Sequence, residues 1–134
     1  MSILVGYVPT PVGEAAARAA IAEAKLRGEK LFVVNSVREG ALVDKSVASD
    51  ADLERITAAA ADAGVESSVL QSTHTDDLAD EVLTLAEVHD VSLIVIGLRQ
   101  RSQVGKFIMG SHAQRILLQA DRPVLAVKAG QDGH

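Results

Sequence analysis

Short apolar runs alternate with helical patterns along the whole chain. Four of the apolar runs are rich in Val, Ile and Leu without polar alternation, which is typical of parallel strands that are covered on both faces. A fifth run, VESSVL, alternates more strongly, and we expect it to lie nearer an edge of the sheet. The predicted strands cover residues 3–8, 30–37, 65–70, 91–96 and 123–128.

Amphipathic helical patterns fill the intervals between these strands. The first helix is predicted over residues 13–27, with Gly28 as its C-terminal cap, and the second over residues 49–64. Thr75 is expected to cap the third helix, and Ser111 to begin the fourth. Because strands and helices alternate and such crossovers are right-handed, the pattern predicts an α/β fold with a doubly wound, five-stranded parallel sheet and four helices.

Composition narrows the classes of function. A chain of 134 residues, 48% of them hydrophobic, is long enough for one domain with its own core, so we expect a single domain over residues 1–134. Aromatic residues make up 2% and the net charge is −5, which disfavours nucleic acid as a partner. Cysteine is absent, which excludes disulfides and thiol catalysis. No export signal or apolar run of about 20 residues is present, so we expect a cytoplasmic protein without membrane contact.

The stretch GLRQRSQVGKFIMGS, residues 97–111, joins the fourth strand to the last helix and contains no acid. Its cations are Arg99, Arg101 and Lys106, and Gly110 lets an oxyanion approach the helix N-terminus closely. In a doubly wound sheet, ligands bind beyond the carboxyl ends of the strands, where the strand order reverses. The stretch is therefore a candidate anion site. A solvated turn ahead of an ordinary helix cap would use the same residue types, and local chemistry leaves both interpretations open.

Two sharper phosphate motifs do not fit this chain. A Walker A loop ending at Gly105 and Lys106 would need glycine at Gln100 and Ser or Thr at Phe107. A dinucleotide fingerprint would need clustered glycines after the first strand, where the chain has YVPTPVGE. We therefore predict neither site.

Gly97, Gly110 and Ser111 follow a spacing that resembles the nucleotide-binding signature Gly-x2-Gly-x9-Gly-Ser/Thr of universal stress proteins. The ending AQRILLQADRPVLAVK is also similar to that family, and the likeness covers nearly the whole chain. It implies a Rossmann-like fold of the adenine nucleotide alpha hydrolase type and, in one branch, bound ATP or a related adenine nucleotide, with magnesium accompanying ATP. It also implies a symmetric homodimer, which we expect to form through the last strand, from Pro123 to Lys128.

The resemblance also implies roles for individual residues. Gly97, Gly110 and Ser111 would contact ribose and phosphates, and Val37 would pack against adenine. Apart from the resemblance, the positive charges of Arg99, Arg101 and Lys106 would let them add phosphate contacts. The full set of predicted nucleotide-binding residues is Pro9, Thr10, Val37, Gly97, Arg99, Gln100, Arg101, Gly110, Ser111 and His112.

Two positions depart from the family pattern. Gln100 replaces the second glycine of the signature, where its side chain would either crowd the ribose or hydrogen-bond to it. Val8 stands where the family usually has an acidic residue, and each lost hydrogen bond typically costs about 1 kcal/mol or more. The preferred ligand would then be bound weakly, or would be AMP or a cyclic nucleotide.

The sequence offers no catalytic constellation. The four histidines lack metal-ligand spacing, and G-x-S-x-G is absent. His112 is the only histidine near the predicted pocket, as a phosphate contact or simply a solvated helix residue. We expect a stress-response binding module, with weak ATP hydrolysis at most. The alternative is a homodimeric interaction protein of the same fold that binds no nucleotide.

Overall fold

All five strands of the sheet run parallel, in the order β3-β2-β1-β4-β5. The structure is a computed structural model that describes residues 1–8, 10–36, 50–72, 78–98 and 111–128. The predicted fold class is confirmed, and the strand with the strongest polar alternation, β3, lies at an edge as expected. The strands are β1 Ser2–Gly6, β2 Lys30–Ser36, β3 Ser67–Ser72, β4 Leu93–Leu98 and β5 Val124–Lys128.

Four helices connect the strands. They are α1 Pro11–Arg27, α2 Asp50–Asp62, α3 Leu78–Val88 and α4 Ser111–Gln119. Within the described part of the chain, none of them is long and apolar enough to cross a membrane. The predicted caps Ser49 and Thr75 and the connection over residues 38–48 lie outside the described residues.

The third and fourth strands begin two residues later than predicted, for one physical reason. Val65 and Val91 continue the apolar runs but belong to the helix ends that precede the strands. Their N–H groups donate to Ala60 O at 2.8 Å and Ala86 O at 3.1 Å. Both valines are buried, so each apolar run starts at a helix cap that packs into the core and not at the sheet ladder.

Two cores form, one on each face of the sheet. Successive side chains of an extended segment point to opposite faces. Ile3, Val5 and Tyr7, in β1 and directly after it, pack with α1 and α2, and Leu4 packs with α3 and α4. The buried stripe of α1 consists mainly of alanines, which let this helix lie close to the sheet. The predicted doubly wound arrangement follows from these two covered faces.

The strand order reverses between β1 and β4. From β1 the chain winds outward through β2 to β3, and α3 then returns it to β4 on the other side of β1. Helix α1 begins after β1 and helix α4 begins after β4. The carboxyl ends of these two central strands and the starts of these two helices therefore meet at the switch point.

Candidate functional site

A cavity of about 70 Å³ lies at the switch point. Most of its wall is apolar, and it includes residues from both central strands and from the starts of α1 and α4. This is the place where an open α/β sheet binds its ligands. The lining residues used below are Val8, Val12, Gly13, Gly97, Ala113 and Ile116.

The predicted site residue Gly97 lines this cavity and is also a packing residue. A Cβ atom at Gly97 would lie 2.1 Å from Val12 Cγ1 and 2.8 Å from Val12 O. Only glycine therefore lets the first turn of α1 rest on β4 at this point. The family resemblance implies that Gly97 contacts ribose and phosphates, and the structure adds that Val12 occupies the space above this glycine.

A second close approach shapes the turn between β1 and α1. A Cβ atom at Gly13 would lie 1.7 Å from Val8 O, so the helix backbone is in direct contact with the start of the turn. The amide of Thr10 donates to Val8 O at 2.8 Å. Val8, the position where the family pattern has an acid, is thus fixed at the cavity wall through its backbone.

Thr10, another predicted site residue, is the N-cap of α1. It is extended, at φ −134° and ψ 165°, and its hydroxyl oxygen accepts from the amide of Gly13 at 3.1 Å. Pro11 follows as the first helical residue, where the missing N–H costs nothing. Thr10 lies in the chain between Val8 and Val12, which line the cavity, and its side-chain oxygen serves the helix start.

Behind this turn lies a polar network that the sequence analysis did not identify. The Tyr7 hydroxyl donates to Glu14 Oε2, and Arg55 of α2 donates to both Glu14 oxygens at 2.8 Å. Arg55 also donates to Asp52 at 3.2 Å. The only available signals were the single tyrosine of the chain and an acid in the first turn of α1, and neither indicates a partner in α2.

Burial and charge set the protonation of this network. Burial, followed by the hydrogen bond with Glu14, raises the pKa of Tyr7 to about 12, so the phenol is a neutral donor at pH 7. Hydrogen bonds from Arg55 hold the pKa of the Glu14 carboxyl below its usual range. The carboxylate is therefore ionised and accepts from both partners at once.

Helix α4 forms another part of the cavity wall. Ala113 and Ile116 are buried and face the cavity, while Arg115 forms an ion pair with Asp80 of α3. Ser111 and His112, both predicted site residues, are the first and second residues of α4. The structure describes their place in the helix but not their side chains. The predicted start of the fourth helix at Ser111 is thus confirmed, and the anion site ahead of it stays a prediction.

Within the described ranges, no group of three or more His, Asp or Glu side chains is placed to hold a metal ion.

Of the predicted site residues, some lie within the described ranges and others do not. The structure brings together Gly97, the turn that contains Thr10, and the first turn of α4. The predicted residues outside the described ranges are Pro9, Val37, Arg99, Gln100, Arg101 and Gly110.

Comparison with known proteins agrees with this architecture. A universal stress protein from Mycolicibacterium smegmatis is 41% identical over 126 residues, which are 94% of this chain and 96% of the relative. A universal stress protein structure from Archaeoglobus fulgidus matches with a TM-score of 0.79 at 30% identity, over 96% of this chain and 98% of that one. A structure of the universal stress protein from the same organism in complex with dAMP matches with a TM-score of 0.68 at 25% identity, with the same coverage.

The family model gives the same result over almost the full length. The model of the universal stress protein family matches residues 1–128, which include every strand and helix of the fold. The resemblance seen in the spacing of Gly97, Gly110 and Ser111 is thereby confirmed at the level of the family. This chain belongs to the universal stress protein family.

Proposed function

We propose that this chain binds an adenine nucleotide at the switch point, as a signalling or structural ligand in a cytoplasmic stress response. The observation that carries the proposal is the cavity at the carboxyl ends of β1 and β4, between the starts of α1 and α4. The Archaeoglobus fulgidus relative in complex with dAMP supports it, since an adenine nucleotide is a ligand of that protein.

The two halves of a nucleotide would use different parts of this site. The side chains of Val8, Val12 and Ile116 offer an apolar wall to the uncharged part of the ligand. The start of α4 offers to phosphate the positive end of the helix dipole and the N–H groups that have no partner within the helix, and its first turn contains no acid. The cavity of about 70 Å³ is smaller than ordinary ligand pockets of about 300–1,000 Å³, so it would hold a fragment of the ligand.

Titration of the stripped protein tests the proposal. The protein is unfolded, freed of small molecules and refolded, and ATP, AMP, dAMP and cyclic AMP are then added in a calorimeter. We expect at least one of them to bind with a millimolar or lower Kd. If all four fail to bind at millimolar concentration, the proposal is wrong.

A charge placed at the predicted phosphate position sharpens the test. Gly110→Asp should abolish binding because it puts an anion where the phosphate is expected. Ala58→Asp is the matched control, since it adds the same charge at an exposed position of α2 that does not line the cavity. Equal binding by both variants would contradict the assigned phosphate position.

Magnesium belongs to the proposal only for ATP. Magnesium is usually held by one or two carboxylates and by substrate phosphates, and it keeps several waters. We therefore expect EDTA to weaken ATP binding and to leave AMP binding unchanged. The same titrations in EDTA and in excess magnesium measure this.

The second candidate is a homodimer whose role needs no nucleotide. The observation that favours it is β5, an edge strand in which Val124, Leu125 and Val127 are only partly buried. The outer side of an apolar edge strand can be covered by the same strand of a second copy across a two-fold axis. Sedimentation at micromolar concentration tests it: a dimer unaffected by nucleotide supports this function, and a monomer contradicts it.

A further inference from the structure

We propose that Glu14 and Arg55 are positioning residues that hold the turn between β1 and α1 in the shape that forms the cavity. By this turn we mean the connection after Tyr7 together with the first three residues of α1, and it supplies Val8, Val12 and Gly13 to the cavity wall. The consequence for nucleotide affinity deepens the function proposed above and rests on it.

The turn is closed at its base by a side-chain bond. Tyr7 immediately precedes the turn, and Glu14 immediately follows it. The Tyr7 hydroxyl donates to Glu14 Oε2, and the tyrosine ring is 1% exposed, so its position is fixed by the core. The Tyr7 amide also donates to Val34 O of β2 at 3.1 Å. The start of the turn is thus anchored to the sheet, and its end is anchored to Tyr7.

Helix α2 locks this closure from outside. Arg55 Nη1 and Nη2 donate to the two Glu14 oxygens at 2.8 Å each, which is the paired geometry that fixes both distance and orientation. Asp52, one turn earlier in α2, accepts from Nη2 at 3.2 Å and restrains the guanidinium. No described residue of α2 lines the cavity, so Arg55 acts on it indirectly, through its paired bonds to Glu14.

The cavity wall tolerates little movement of the start of α1. The Gly13 backbone is pressed against Val8 O, and Val12 fills the space above Gly97. A rotation of the first helical turn would separate Val12 from β4 or force Gly13 into Val8. Release of Glu14 by Arg55 would permit such rotations, because among the described side chains the carboxylate would then accept only from Tyr7.

The test compares two arginines that each pair with a glutamate of α1. Arg55→Gln removes the bond at the start of α1, and Arg27→Gln removes the exposed bond to Glu23 near its end. Amide hydrogen exchange at Gly13 and Glu14 should be faster in Arg55→Gln only. Nucleotide Kd, measured where all variants are fully folded, should rise about three- to tenfold in Arg55→Gln only.

Arg55→Lys separates geometry from charge. Lysine keeps the positive charge but cannot form two parallel bonds to one carboxylate, so we expect exchange and affinity between those of the wild type and Arg55→Gln. Values equal to the wild type would show that charge alone suffices and would overturn the positioning role of the paired geometry.

The two readouts separate this inference from the proposed function. Unchanged exchange at Gly13 and Glu14 in Arg55→Gln overturns the inference, whether or not a nucleotide binds. Faster exchange with an unchanged Kd overturns the link between the turn and the ligand. A wild-type protein that binds no nucleotide overturns the proposed function, and the exchange measurement still decides whether Arg55 holds the turn.

Discussion

Glycine has different roles at the amino edge of the sheet, where the parallel strands begin, and at the carboxyl edge, where they end. At the amino edge, α1 and α2 end at Gly28 and Gly64, which have φ angles of 67° and 80°. In both cases the next amide returns to a carbonyl one helical turn back, from Glu29 to Ala24 at 3.0 Å in α1. A Cβ atom at either glycine would meet nothing within 4 Å. These glycines are needed for backbone conformation alone.

At the carboxyl edge the glycines are needed for space. Gly13 and Gly97 do not have positive φ angles, but a Cβ atom there would lie 1.7 Å from Val8 O and 2.1 Å from Val12 Cγ1. Glycine at the amino edge thus serves local chain reversals, whereas glycine at the carboxyl edge permits close contacts, within the turn at Gly13 and between α1 and β4 at Gly97. The cavity lies at the edge that depends on such contacts.

The largest expected effect comes from filling the tightest of these contacts. Gly13→Ala places a methyl group against the Val8 carbonyl, and both groups are backbone or rigidly attached to it, so α1 must move. We expect a loss of about 3 kcal/mol or more in the free energy of unfolding, measured by urea denaturation.

The matched control is the same substitution at the amino edge. Gly64→Ala should cost about 1 kcal/mol, because it strains the backbone without a collision. Equal losses at Gly13 and Gly64 would remove the distinction between the two edges.

The next largest loss of stability is expected at the end of α3. Among the described residues, this is the helix end at the amino edge where a residue other than glycine has a positive φ. Asp90 ends α3 at φ 50°, and Arg122 donates to the carbonyls of Ala86 at 2.9 Å and Val91 at 3.0 Å. Since the Arg122 side chain is only 14% exposed, Arg122→Ala leaves two partly buried carbonyls without this donor. We expect a loss of about 2 kcal/mol in thermal or urea unfolding.

Arg122→Lys is the control for this contact. Both carbonyl bonds come from Arg122 Nη1, and the lysine Nζ is one bond closer to the backbone, so we expect it to keep the charge but to reach only one carbonyl, with about half of the loss remaining. A full rescue would mean that the length of the arginine side chain is not needed at this corner.

The sequence predicted the amino edge better than the carboxyl edge, and the difference has a physical basis. Gly28 and Gly64 follow helical patterns directly, so a helix end and its cap can be recognised within a few residues. The predicted strands wrongly included Val65 and Val91, because a buried position at a helix cap and a buried position in a strand both favour an apolar side chain. Local patterns therefore locate the helix ends and leave the strand starts uncertain by two residues.

At the carboxyl edge, the sequence predicted a site but not the contacts that hold the walls of the cavity there. Gly97 was recognised from its spacing, while its contact with Val12 depends on how α1 lies across the sheet. The pairing of Glu14 with Arg55 depends on how α1 and α2 lie side by side. No pattern within one segment encodes either contact, so both required the structure.

A smaller, pH-dependent effect tests the network at the carboxyl edge. Because Arg55 lowers the pKa of Glu14 in the folded state, the ionised carboxyl stabilises the fold above the pKa it has when unfolded. This contribution is lost as the pH falls through the lowered folded value. Glu14→Gln should therefore cost about 1 kcal/mol at pH 7, and the difference from the wild type should shrink below about pH 4.

Urea unfolding between pH 3 and pH 7 measures that difference, and Glu23→Gln serves as its control. Glu23 forms an exposed ion pair with Arg27 at the other end of α1, which we expect to contribute less than about 0.5 kcal/mol. A Glu14→Gln loss that is the same at both ends of the pH range would mean that the carboxylate charge contributes nothing.

The smallest effect tests whether the amino edge needs glycine itself or only its backbone conformation. Gly28→Ala should cost about 1 kcal/mol through strain at φ 67°, whereas asparagine tolerates this conformation and Gly28→Asn should cost about half as much. Thermal unfolding of the two variants measures the difference. Because a Cβ atom at Gly28 has free space around it, the larger asparagine is the milder change here. The reverse order, with alanine milder than asparagine, would mean that space and not conformation limits this edge as well.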